Sequence, residues 1–104
     1  MTNSFRSRLV PELKVSDLAT SLRFWCDLVG FAVRYGRPAE GFAFLDLDGA
    51  QVMLDQRSLG APERIGFWET GHMETPFGRG INLEIQVGDL TSILARLEAG
   101  AVAI

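Results

Sequence analysis

Apolar residues recur along this chain with two different periods, and the switches between them mark out its elements. Arg8 to Val15 reads as a strand, with Val10, Glu12 and Lys14 on one face and Pro11, Leu13 and Val15 on the other. Pro11 has no N–H to give a ladder, which favours an edge or end position. Ser16-Asp17 can cap a helix. Leu18, Leu22, Trp25 and Leu28/Val29 then follow at helical spacing, and Gly30 suits the stop. Phe31, Val33 and Tyr35 alternate with Ala32 and Arg34 as a second strand, and Gly36 to Gly41 is a turn. Phe42 to Leu47 and Ala50 to Gln56 form two more strands. They are made antiparallel by Asp48-Gly49, a two-residue hairpin signal. The order predicted so far is β-α-β-β-β.

Arg57 to Gly80 breaks this regularity with several glycines, two prolines, Phe67-Trp68 and His72. A connection of that length is usually functional, an arm over a partner, or mobile. Alternation resumes from Ile81 to Val87, with Asn82, Glu84 and Gln86 on one face and Ile81, Leu83, Ile85 and Val87 on the other. Gly88-Asp89 opens a second helix whose apolar side carries Leu90, Ile93, Leu94 and Leu97, and Gly100 closes it. The two strand-to-helix units match: Val15-Ser16-Asp17-Leu18 corresponds to Val87-Gly88-Asp89-Leu90, and Leu22 to Leu94, at a constant offset of 72 residues. Such a repeat speaks for a duplicated module.

Composition narrows the function. The 104 residues make one domain at most, divided as a first module over 8–56, a linker over 57–80 and the start of a second module over 81–104. A net charge of -3 with no basic stripe argues against nucleic-acid binding. No run of eighteen apolar residues suggests a membrane span, and Met1 to Arg8 lacks the apolar core of a signal peptide. Cys26 is the single cysteine, so no internal disulfide is possible. A cytoplasmic protein is the expectation.

The stretch Leu9 to Leu18, then Ser21-Leu22-Arg23-Phe24-Trp25 and Gly30-Phe31, resembles the opening of the vicinal-oxygen-chelate superfamily of glyoxalases, extradiol dioxygenases and bleomycin resistance proteins. Pro76 to Ile85 resembles the start of the second module in its bleomycin-resistance-like members. The resemblance implies an α+β fold of paired βαβββ modules. Three strands follow the second helix in that family, so the second module is expected to be incomplete in this chain.

Metal-dependent members of the superfamily place His or Glu on cleft-facing positions of particular strands. The matching positions here hold Val10, Met53 and Asn82. Valine has no lone pair, a thioether suits soft copper(I), and a lone amide oxygen is a weak ligand. No metal and no other cofactor is therefore expected, and no catalytic residue is named. His72 in the loop reads as a solvated residue, and Cys26 beside Trp25 as packing. The resemblance implies instead a binding cleft on the polar face of the sheet, formed by Glu12, Phe44, Asp46, Met53, Asp55, Asn82 and Glu84, with Phe67 and Trp68 as stacking rings from the loop. The expected function is sequestration of a cationic or amphiphilic, bleomycin-like small molecule between the two chains of a homodimer. The alternative is a glyoxalase- or dioxygenase-like enzyme with an altered metal site.

Overall fold

The computed structural model describes residues 6–56 and 77–102. Four strands form one mixed sheet: β1 (Glu12–Val15), β2 (Ala32–Arg37), β3 (Phe42–Leu47) and β4 (Ala50–Gln56). Their order across the sheet is β1-β4-β3-β2. β3 runs antiparallel to both of its neighbours, whereas β1 lies parallel to β4. A parallel pair needs a crossover. Helix α1 (Leu18–Leu22), which continues as a π-helical stretch over Arg23–Val29, begins that crossover. A second helix, α2 (Leu90–Ala99), packs against the π-helical stretch. This α+β arrangement is a βαβββ module followed by a helix.

The first strand is shorter than the alternation suggests. Its ladder starts at Glu12, and Pro11 contributes only its carbonyl, which accepts from Met53 N at 2.9 Å. The Asp48-Gly49 turn is confirmed: both residues take positive φ, 50° and 94°, as a type I′ hairpin requires. The second strand extends to Arg37, beyond the expected turn at Gly36, and a short 3-10 turn over Pro38–Glu40 completes the connection. Gly30 ends the first helical run at φ 111°, and its N–H and that of Phe31 both reach the carbonyl of Trp25.

The core lies between one face of the sheet and the first helical run. Leu18, Phe31, Ala43, Leu45, Val52 and Leu54 are buried, with Leu13, Val15, Leu22, Trp25, Val29 and Ile85 packed around them. Of the apolar face that alternation assigns to Ile81, Leu83, Ile85 and Val87, the first two are exposed. Leu28 is buried outside that cluster, where Gly100 of α2 approaches it.

Alternation predicts a strand over Ile81 to Val87, and the segment forms none among the described residues. Alternation assigns side chains to faces, but a strand also needs a partner edge for its N–H and C=O groups. β1 pairs only with β4 in the described sheet, so the segment has no ladder there. Most of the predicted linker, residues 57–76, lies outside the described part, and with it Phe67, Trp68 and His72.

Candidate functional site

The register assembles two rows of side chains on the sheet face away from the helix. Leu13, Val52 and Leu54 point into the core, so their neighbours Glu12, Gln51, Met53 and Asp55 point the other way. One row runs Glu12, Met53, Phe44, Tyr35 across all four strands; the next runs Lys14, Asp55, Phe42, Arg37. Five expected site residues, Glu12, Phe44, Asp46, Met53 and Asp55, thus share this face.

Their surroundings differ. Asp55 is held by Lys14 Nζ at 2.6 Å, in a partly buried ion pair. Asp46 accepts from Gln51 Nε2 at 2.6 Å and from Gly49 N at 3.4 Å. Phe44 is fully buried. Tyr35 stacks on it with centroids 5.1 Å apart, and the Arg6 guanidinium sits 4.8 Å from its ring centroid while also donating to Tyr35 Oη at 3.2 Å. The Phe44 ring therefore reaches a ligand only if that cover moves. Glu12 is half-buried, and its pKa is raised, first by desolvation and then by the nearby Asp55 carboxylate; Lys14 and Arg37 act in the opposite direction.

Asn82 and Glu84 do not join the rows. Both are exposed in the irregular segment before α2. Glu84 instead lines a cavity of ≈ 260 Å³ between that segment, the chain around Ser7 to Pro11, and Trp25 with Phe31. Val10 is half-buried just ahead of β1. Among the described residues, no three His, Cys, Asp or Glu side chains stand together in a way that could hold a metal ion.

Several residues of this face were missed by the sequence reading. Phe42 shares parity with Phe44 and Asp46 and was legible on that ground. Tyr35 was not. Simple alternation puts it with Val33, but a register shift between the two leaves Val33 opposite core residue Leu45 and Tyr35 opposite Phe44. One extra residue in a strand reverses the facing of all that follows. Gln51 shares parity with Met53 and Asp55 and was legible too, whereas Arg6 acts through contacts that no local pattern announces.

An α+β module with an open mixed sheet, polar and aromatic on its free face, is the class that fold and site define. Residues 9–104 match the Glyoxalase/Bleomycin resistance protein/Dioxygenase superfamily, and the chain belongs to it. A search of curated proteins finds no match. Among solved structures, a glyoxalase/bleomycin resistance protein/dioxygenase superfamily member from Vibrio splendidus 12B01 is 45% identical over 45% of this chain, with a TM-score of 0.43. The match spans 40% of that chain.

Proposed function

We propose that this chain is a metal-independent small-molecule binding protein of the bleomycin resistance type, which sequesters a cationic or amphiphilic ligand in a cleft at a dimer interface. The observation that carries this reading is the row Glu12, Met53, Phe44, Tyr35, which sets a carboxylate at one end of an apolar and aromatic strip. A cation with a flat apolar body matches such a surface, through charge at Glu12 and apolar contact along Met53 to the part-exposed Tyr35 ring.

The donor set does not fit the metal of the enzymatic members. Val10 offers no lone pair and Met53 only a soft sulfur. The Asp55 carboxylate that neighbours them in the sheet is engaged by Lys14. Asn82 lies in the irregular segment.

Isothermal calorimetry with bleomycin, together with melting curves, tests the proposal. Saturable heat and a rise in melting temperature are expected; neither signal at saturating drug rejects this ligand class. One observation favours the second reading, an enzyme with an altered metal site: the raised pKa of Glu12 is what a general base requires. Stoichiometric zinc, nickel, iron or manganese in the purified protein would favour that enzyme.

A further inference from the structure

Four carboxylates are expected to give the cleft its charge. Asp55 is paired with Lys14, Asp46 keeps its charge but is held at the hairpin by hydrogen bonds from Gln51 and Gly49, and Glu84 lines the cavity beyond the sheet. Glu12 alone of the four stands on the open face without a hydrogen bond or ion pair among the described residues. It also heads the row that continues through Met53 to the ring pair Phe44 and Tyr35.

We propose that Glu12 is the residue by which this face reads positive charge, and that it accepts a cation only as the ionised carboxylate, so that binding to the protonated form releases a proton. The inference rests on the binding reading above and adds the selecting residue and its control by pH. The ligand's charge lies at Glu12 and its apolar body along Met53, and it reaches the Phe44–Tyr35 ring pair by displacing the Arg6 guanidinium that covers Phe44. Among the described residues, three charged groups act on Glu12, and Arg6 stands further along the row over Phe44. Asp55 on β4 opposes its ionisation, as burial does, whereas Lys14 on the same strand and Arg37 on β2 assist it. β3 contributes only rings to these rows, Phe42 and Phe44. An arriving cation adds to the assisting side, and the proton leaves.

Fluorescence titration of the full chain with ethidium, a planar aromatic cation, and N-phenyl-1-naphthylamine, a neutral fluorophore, tests this between pH 4.5 and 8. Ethidium affinity is expected to be flat above the Glu12 pKa and to fall about tenfold per pH unit below it. Glu12→Gln, nearly isosteric, should lose about tenfold or more in affinity at pH 7 and lose the pH dependence, since a charge-assisted contact has gone. Binding of the neutral dye should not change. Asp55→Asn should move the fall in ethidium affinity to lower pH. If Glu12→Gln, shown folded by circular dichroism, binds ethidium with the wild-type affinity and profile, the role of Glu12 is rejected and the binding reading survives. Wild-type protein that binds the neutral dye but not ethidium has the same consequence. Binding of neither dye rejects both.

Discussion

Burial and the Asp55 carboxylate both disfavour the charge on Glu12, so its pKa is higher in the folded chain than in the unfolded one. The folded state then binds more protons between the two values, and stability falls as pH rises through that interval. Glu12→Gln should accordingly raise the melting temperature at pH 7, with the gain shrinking as pH drops through the range in which Glu12 protonates; thermal melts across pH check this. A residue kept at a stability cost on an open face is a functional candidate. The sequence showed Glu12 on the correct face. It could not show that Lys14 would take Asp55, because residues 41 positions apart meet only through the register; the Asp46–Gln51 pair, by contrast, follows from the two-residue Asp48-Gly49 turn. Asp17 and Asp89 are simpler. Each starts a helix and engages the residue three ahead: Asp17 Oδ2 accepts from Thr20 Oγ1 at 2.5 Å, and Asp89 accepts from Ser92 N at 3.0 Å and Ser92 Oγ at 2.6 Å. That equivalence was legible in the repeat.

At the level of elements, α2 is fastened to the first module by Arg96. Its Nε donates to the Leu28 carbonyl at 2.8 Å and its second guanidinium nitrogen to that of Val29 at 3.4 Å, at the end of the π-helical stretch where carbonyls lack helical partners. Leu28 closes the contact against Gly100, where a Cβ would meet its methyls at 3.0 and 3.2 Å. Arg96→Ala should cost about 1–2 kcal/mol, read as a lower denaturant midpoint, because it removes charged donors from partly buried carbonyls. Arg96→Lys should recover only part of the loss, since an ammonium cannot reproduce the fork. The helix itself was predictable from its cap and periodicity. Its docking was not: among its four apolar positions only Ile93 is buried, and Leu94 is exposed.

Across the whole molecule the two halves of the repeat meet different fates. Leu18 is 8% exposed beneath α1, whereas its counterpart Leu90 is 58% exposed. Ile81, Leu83 and Leu94 are exposed as well. The sheet covers the first helix and no described strand covers the second. An apolar surface of this kind is a common mark of an interface, and it supports the proposed homodimer. Sedimentation equilibrium should give twice the chain mass of 11.4 kDa, and Ile81→Glu should shift the population towards monomer. A monomer at all concentrations would reject a cleft shared between chains. Among the described residues, no helix is long and apolar enough to cross a membrane.

Local order along the chain determined β3, β4 and their Asp48-Gly49 turn, the start of both helices after an Asp, with Asp89 alone capping by its side chain, and the alternation that put Glu12, Met53 and Asp55 on one face. These follow from period, cap chemistry and backbone preference, each of which acts within a few residues. The tertiary structure decided the rest. A bulge in β2 brought Tyr35 over Phe44, a parallel register set Lys14 beside Asp55, and Ile81 to Val87 pairs with neither open edge of the described sheet, so it has no ladder there. Each outcome depends on which distant segment lies alongside, and pairing between segments is a property of the assembled sheet.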